Sequence, residues 1–298
     1  MTTRLYPYQN QKNKLLNSMK LKINCQNRVG SNPETKDWLE LTSKFDHSSS
    51  DFKIYTGLLD KRNNIVAKIG QQKLDDEFEV SKQLEELKLP TFIEFNCIFK
   101  CLDDFSNMNN TTKEVCKKRG ESITVIIMPY LTEGRIDFWN WDRTNFDIMK
   151  NVMKHVFLSL FYAKHRLGFI HFDHHLGNIL LKQTTKTEIS YGEFDSLKVL
   201  GILPVIMDFE KSHFVKDHDN FVYEDLITFI SLMSNSCNVK FDSISIIKLL
   251  ESLINNGAKI DIVVCNNICK LIDKLEIRSV YSERSPLPDW LKPQKVGK

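Results

Sequence analysis

The stretch GFIHFDHHLGNILL, residues 168–181, decides how the rest of the chain is interpreted. It places three histidines, an aspartate and an asparagine between two apolar runs, the first ending at Ile170 and the second beginning at Ile179. This pattern predicts a strand, a tight polar loop and a second strand. The loop is the strongest candidate for a functional site in the chain.

The histidines of this loop suggest two alternatives to chemistry at the aspartate. His171, His174 and His175 could join Asp173 as ligands of a transition metal. A catalytic metal site needs its ligands on one side of a helix or on facing strands, whereas the flanking runs indicate strands that feed a tight loop. In the simpler alternative His171 is a hydrogen-bonded core histidine, and Asp173 can be catalytic all the same.

Composition sets broad limits on the class of protein. The chain has 298 residues, of which 42% are hydrophobic and 27% charged, as in an ordinary globular protein with one two-lobed domain or two small ones. The net charge of +3 gives no indication of nucleic-acid binding. Residues 1–33 contain six Lys or Arg and no Asp or Glu, which predicts either a solvated extension or a docking arm for an acidic partner.

Location can also be predicted from apolar runs and cysteines. The longest apolar run, residues 123–131, is too short to cross a bilayer, and the N-terminus lacks the apolar stretch of a signal peptide. The seven cysteines form no CxxC pair, so we expect reduced, mostly buried thiols. These features favour an intracellular, cytoplasmic protein without a membrane partner.

The pattern along the chain predicts a strand-rich half followed by a helix-rich half. A polar turn, DKRNN, interrupts residues 52–70 and predicts a β-hairpin. In the second half, apolar residues at steps of four from Ile148 to Leu160 predict a long helix that ends near Gly168. The other predicted elements are a helix over 74–89, strands over 92–102 and 122–131, an apolar strand that ends in Asp208, and helices over 223–233, 242–256 and 260–275.

Three polar residues have the spacing that phosphoryl transfer requires. Asn178 follows Asp173 by five residues, and Asp208 comes thirty residues after Asn178. An aspartate at the start of a loop can accept a hydroxyl proton, while an asparagine and a second carboxylate can hold Mg²⁺ against the phosphates of ATP.

This set resembles the protein-kinase-like superfamily, whose catalytic loop runs H-R-D-x4-N and whose metal-binding turn is D-F-G. Here the two motifs stand as HFDHHLGN and DFE, and VAK at 66–68 resembles the strand whose lysine holds the α- and β-phosphates. The resemblance covers roughly residues 45–235. It implies an α+β, bilobal protein-kinase-like fold with a β-rich N-lobe over 41–131 and an α-helical C-lobe over 132–282. A basic extension over 1–40 precedes the lobes and a tail over 283–298 follows them.

The resemblance also implies a role for each matching residue. Asp173 is the catalytic base, Asn178 and Asp208 bind Mg²⁺, and His175 adds a donor to the moving phosphoryl group. Lys68 anchors ATP and pairs with Glu79, with Glu77 as second choice. Asp225 resembles the buried aspartate that braces the catalytic loop. The remaining ATP-binding positions lie in the phosphate loop and the hinge: Ser48, Ser49, Ser50, Ile54, Met128, Pro129, Tyr130 and Leu131.

Several positions depart from the family pattern. The phosphate loop, with serines at 48–50, has no glycine, so its side chains obstruct close approach to phosphates. Phe172 replaces the arginine that contacts a phosphorylated activation loop, which argues against that kind of switching. Glu210 replaces the glycine of D-F-G. Only sixteen residues separate Asp208 from Asp225, so the usual peptide-docking platform is shortened or absent.

The loop D-x-H-x-G-N resembles those of haspin-type protein kinases and of aminoglycoside and choline phosphotransferases. Choline kinases usually carry large insertions in the helical lobe, for which the two helices after residue 240 leave little room. The sequence therefore favours a monomeric serine/threonine protein kinase that transfers the γ-phosphate of ATP to a protein and binds no nucleic acid directly. Two alternatives stay open: a small-molecule kinase, and a pseudokinase scaffold, which the glycine-free loop and Glu210 suggest. The divergence and compact size suit a kinase of a large DNA virus, acting in the host cell or the virion.

Overall fold

A computed structural model describes residues 38–44, 52–70, 74–101, 123–215, 220–236 and 240–277. The predicted phosphate-loop residues Ser48, Ser49 and Ser50 lie outside these ranges, as do nearly all of the basic extension and the whole tail over 283–298. The chain divides into two compact units. Of the described residues, the first unit comprises those up to Phe78 and from Glu94 to Tyr130, and the second comprises Glu79–Ile93 and those from Leu131 onward.

The first unit contains a five-stranded antiparallel sheet in the order β1-β2-β3-β5-β4. The predicted hairpin is confirmed, because β2 and β3 pair antiparallel over their whole length, from Phe52 opposite Gly70 to Leu59 opposite Asn63. The strands are β1 (Leu39–Lys44), β2 (Phe52–Leu59), β3 (Asn63–Gly70), β4 (Cys97–Lys100) and β5 (Thr124–Pro129).

One face of this sheet forms the core of the first unit. Ile65, Ala67 and Ile69 alternate along β3 and are all buried, as expected for a strand with period two. Trp38 and Phe99 meet edge to face at the same cluster, with ring centroids 5.4 Å apart. The sheet therefore gives β3 a fixed position in the unit.

β1 and β2 pack closely where Gly57 lies. Gly57 pairs with Leu41, and the register shifts between Leu41 and Ser43. A Cβ atom on Gly57 would lie 2.1 Å from the carbonyl oxygen of Glu40. Only glycine fits at this position, so the glycine here is a packing requirement.

The helix predicted over 74–89 is present as α1 (Leu74–Glu85) and ends four residues early. Lys88 takes a left-handed φ of 54° shortly before Pro90, and the residue before a proline disfavours the helical region. Residues 91–93 then run beside the strand Ile202–Ile206, with a parallel bridge from Phe92 to Ile206. This pairing places residues 79–93 in the second unit, whereas the predicted boundary between the lobes lay at residue 131.

The second unit is built around α2 (Phe146–Leu167), the predicted long helix. Gly168 ends it in the left-handed conformation, with φ of 77°, and its N–H donates to the carbonyl groups of Ala163 and Lys164. Three short antiparallel pairs follow: β6 (Phe169–Ile170) with β11 (His213–Phe214), β7 (Ile179–Gln183) with β10 (Ile202–Ile206), and β8 (Glu188–Ser190) with β9 (Ser196–Lys198). The later helices are α3 (Asn220–Ser236), α4 (Ile244–Asn255) and α5 (Ile262–Asp273).

These elements confirm the mixed α+β class and the three later helices. The strand expected to end in Asp208 ends at Ile206, so Asp208 lies in the turn beyond it. Cys97 and Cys101 are disulfide-bonded and Cys265 and Cys269 are free, so the prediction of reduced thiols is wrong for Cys97 and Cys101. Within the described ranges, no helix is long and apolar enough to cross a membrane.

Candidate functional site

Residues 171–178, called the Asp173 loop below, join β6 to β7 in the second unit. Phe172, the second residue of the loop, has an unfavourable backbone conformation, with a φ of 59°. A side chain of this size rarely adopts the left-handed region, and such strain persists only when neighbouring contacts enforce it.

Asp225 of α3 supplies the contact that enforces this conformation. Its Oδ2 accepts the backbone N–H of His171 at 3.0 Å and that of Phe172 at 3.2 Å. Burial raises the pKa of Asp225 to about 7, against the opposing effect of these two N–H donors. The prediction that Asp225 braces the loop is confirmed.

His171 is held from several sides. Its Nε2–H donates to the carbonyl group of Met207 at 3.0 Å, and its Nδ1 accepts the N–H of Asp173 at 3.3 Å. Ser212 Oγ donates to the carbonyl group of His171 at 3.2 Å. Burial lowers the pKa of His171, so the ring is neutral. Both ring nitrogens are engaged, and His171 serves the loop as a hydrogen-bonded core residue.

His174 is buried too, but in apolar surroundings. Its ring lies 5.2 Å from the ring of His171 and 5.5 Å from that of Phe229, measured between centroids. Neither ring nitrogen of His174 makes a hydrogen bond to the part of the chain that the structure describes. Burial lowers the pKa of His174 well below its usual value. Among the described residues, no group of three or more His, Cys, Asp or Glu is placed to hold a metal ion.

Asp173 is the one acid of the loop, and its carboxylate is 28% exposed. Its Oδ2 lies 3.1 Å from Lys211 Nζ and 4.0 Å from His175 Nε2. The carboxylate therefore faces two basic side chains while it remains open to solvent. Sequence reasoning missed Lys211, because a lone lysine in a polar turn carries no pattern.

His175 is committed to the local turn. Its Nδ1 accepts the N–H of Gly177 at 3.1 Å and so caps the short 3-10 helix Leu176–Asn178. A Cβ atom on Gly177 would lie 2.7 Å from His175 Cε1, so any other residue at 177 would displace the His175 ring. Because Nδ1 accepts a hydrogen bond, the Nε2 atom carries the proton and points to Asp173.

Asn178 and Asp208 stand at one end of the β7–β10 pair. Ile179 pairs with Ile206, and the N–H of Met207 donates to the carbonyl group of Asn178 at 2.9 Å, which places Asp208 one residue further. Asn178 Nδ2 donates to the carbonyl group of Asp173 at 2.9 Å. This bond fixes the orientation of the amide and does not use its oxygen. Asp208 takes a left-handed φ of 66°.

The predicted ATP anchor lies in the first unit. Lys68 Nζ is 2.7 Å from Glu77 Oε2, both side chains are buried, and the ammonium lies 4.6 Å from the ring of Phe52. The predicted pairing of Lys68 with Glu79 is wrong. Glu79 is exposed and pairs with Lys82 at 3.3 Å. Two residues along a helix turn a side chain by about 200°, so only one of these glutamates can share the buried face of α1.

The other predicted ATP-binding residues of the first unit lie on neighbouring strands or at their ends. Ile54 on β2 is paired with Lys68 on β3, and Met128 on β5 is buried and paired with Val66. Pro129 ends β5, and the N–H of Tyr130 donates to the carbonyl group of Asn64 at 3.2 Å. Leu131 belongs to the second unit. The structure thus groups Ile54, Lys68, Glu77 and Met128 in the first unit, and Asp173, His175, Asn178 and Asp208 in the second.

Comparison with known proteins finds one distant similarity. The chain is 25% identical over 234 residues to "Uncharacterized protein 038R" of Invertebrate iridescent virus 3. The match covers 70% of this chain and 38% of that protein. No model of a known protein family matches the sequence. The comparison therefore gives the chain a viral relative whose name states no activity.

Proposed function

We propose that the protein is an ATP- and Mg²⁺-dependent phosphotransferase with a bilobal protein-kinase-like fold, which phosphorylates serine or threonine hydroxyl groups of a protein. One observation carries the proposal. Asn178 Nδ2 donates to the Asp173 carbonyl group and so holds the two residues together. The buried Asp225 accepts backbone N–H groups of the same loop. A buried acid and a strained backbone that together hold one part-exposed carboxylate in place are typical of a catalytic loop.

Asp173 performs the proton transfer in this proposal. Its part-exposed carboxylate can accept a hydrogen bond from the substrate hydroxyl and orient the oxygen for attack. The hydroxyl oxygen forms a bond to the γ-phosphorus while the bond to the β–γ bridging oxygen breaks. ADP leaves with the bonding electrons, and the hydroxyl proton passes to Asp173.

Asn178 and Asp208 fit the chemistry of a magnesium site. An amide oxygen and a carboxylate are the hard oxygen ligands that Mg²⁺ prefers, and few protein ligands are needed where phosphates supply the rest. The Asn178 amide is already oriented by its bond to the Asp173 backbone. Bound Mg²⁺ supplies positive charge that offsets the negative charge of the phosphates.

Lys68 and Glu77 support the ATP-binding part of the proposal. A buried ammonium is costly unless it is paired, and Glu77 pairs it at 2.7 Å. The pair fixes the direction of the Lys68 side chain on β3. Lys68 can therefore bind the α- and β-phosphates without first losing side-chain conformational freedom.

The proposal is tested by transfer of labelled γ-phosphate from ATP to a basic protein, an acidic protein and small amino-alcohols. We expect wild type to label protein, and Asp173→Asn and Lys68→Met each to lose activity by about a hundredfold or more. Asp76→Asn and Lys82→Met change exposed residues of α1 and serve as matched controls. They should keep the wild-type rate.

Three other outcomes would replace the proposal. Equal labelling by wild type, Asp173→Asn and Lys68→Met would exclude the mechanism. Labelling of amino-alcohols and of no protein would identify a small-molecule kinase. Nucleotide binding without any transfer would identify a pseudokinase scaffold.

A further inference from the structure

Lys211 is the basic side chain closest to the carboxylate of Asp173 in the described chain. Its Nζ lies 3.1 Å from Asp173 Oδ2, and the lysine side chain is 61% exposed. An ion pair with this exposure contributes little to folding stability. Its effect on the direction and charge environment of the carboxylate is the more important one.

The backbone around Lys211 is fixed to the Asp173 loop. The N–H of Ser212 donates to the carbonyl group of Phe209 at 3.0 Å and closes the turn that contains Lys211. Ser212 Oγ donates to the carbonyl group of His171, and β11 pairs with β6 directly after it. The lysine therefore extends from a segment that is attached to the base of the same loop.

His175 is less suited to this task. Its Nδ1 is used by the N–H of Gly177, and its Nε2 stays 4.0 Å from Asp173 Oδ2. An imidazole N–H at that distance makes no direct hydrogen bond to the carboxylate. The sequence predicts that His175 is a donor beside the reacting group. Lys211 is better placed for that role.

We propose that Lys211 is a positioning residue for Asp173. It binds Oδ2 and so leaves Oδ1 to accept the hydrogen bond of the attacking hydroxyl. Its ammonium also adds positive charge next to the site where the phosphoryl group is transferred, where negative charge moves during the reaction. This inference rests on the proposed phosphotransferase function.

The test measures kcat and KM for ATP and for protein substrate in full-length Lys211→Met, Lys211→Arg and Lys211→Glu. Lys259→Met, an exposed lysine between α4 and α5, is the matched control. We expect Lys211→Met to lower kcat by about tenfold to a hundredfold, with KM for ATP within roughly twofold of wild type. Lys211→Arg should recover most of the loss, and Lys211→Glu should lose more than Lys211→Met, because it places a like charge beside Asp173.

The outcomes separate this inference from the proposed function. If Asp173→Asn is inactive and Lys211→Met keeps the wild-type kcat, the positioning role is excluded and the phosphotransferase stands. A loss in Lys211→Met that Lys211→Arg does not recover, or that comes with a lower melting temperature, also excludes the role. Full activity of Asp173→Asn would remove the function on which the inference rests.

Discussion

Two adjacent N–H groups on one buried carboxylate determine the conformation of the Asp173 loop. Asp225 accepts both the His171 and Phe172 donors, and Phe172 stays in the left-handed region that its side chain disfavours. The strain is local, and a single acceptor on α3 balances it. The geometry of the loop thus depends on a residue 52 positions away from Asp173 in the chain.

Replacing Asp225 separates its acceptor role from its charge. Asp225→Ala leaves two buried N–H groups without an acceptor and should lower the free energy of unfolding by about 2 to 4 kcal/mol. Asp225→Asn keeps an oxygen acceptor and should cost less than about 1 kcal/mol at pH 7. Urea unfolding of both variants measures the difference, and equal losses would show that the two N–H bonds are not the cause.

The residues of the site were predictable to different degrees. Asp173, Asn178 and Asp208 follow from an ordered motif, because their spacing along one loop and one strand end is local. The partner of Lys68 could not be predicted. Glu77 and Glu79 are two positions apart on α1, and the sequence does not show which of them lies on the buried face of the helix. Lys211 depends on contacts between β6 and β11, which are only two residues long and too short for a periodic signal.

At the scale of elements, the sequence predicted best the features that repeat. The β2–β3 hairpin and the helices α2, α4 and α5 show clear periods of two or near 3.6, and the structure has each of them. Ends were harder: α1 stops before the predicted residue 89, and β10 stops before Asp208. Hydrophobic period does not encode where a chain turns, because the turn is set by pairing with distant segments.

Gly57 tests the packing of β1 on β2. Gly57→Ala would place a methyl group 2.1 Å from the Glu40 carbonyl oxygen, so the two strands must separate. We expect the free energy of unfolding to fall by about 1 to 3 kcal/mol. Ser43→Ala, an exposed change on β1, is the control and should stay close to wild type. Thermal unfolding measures both, and an unchanged Gly57→Ala would show that the strands adjust without cost.

At the scale of the whole molecule, the buried titratable groups predict how stability depends on pH. Burial lowers the pKa of His155 to about 4 and lowers those of His171 and His174 as well. Unfolded histidine titrates near pH 6.5, so below that pH the unfolded chain binds protons that the folded one refuses. Asp225 has the opposite effect, because its raised pKa lets the folded chain hold one proton between pH 3.8 and about 7.

Three histidines therefore lower the free energy of unfolding as the pH falls, and one aspartate opposes this effect. The contribution of the histidines to the free energy of unfolding should be complete above about pH 6.5 and should be lost as the pH drops below it, by about 1.4 kcal/mol per pH unit for each net proton, while the proton held by Asp225 offsets part of this loss. Calorimetric melting temperatures between pH 8 and 4.5 measure this loss. A flat profile would show that the buried rings are solvated in solution.

Phe172 follows Gly168 by four residues, and this spacing limits where the chain can accept an inserted or deleted residue. Both residues are left-handed, and between them β6 pairs with β11 while His171 bonds to Met207. One inserted residue would turn each later side chain of β6 to the opposite face and remove the two N–H groups from Asp225. We therefore expect an insertion or deletion here to disrupt the loop, and one at the exposed residues 185–186 to be tolerated better.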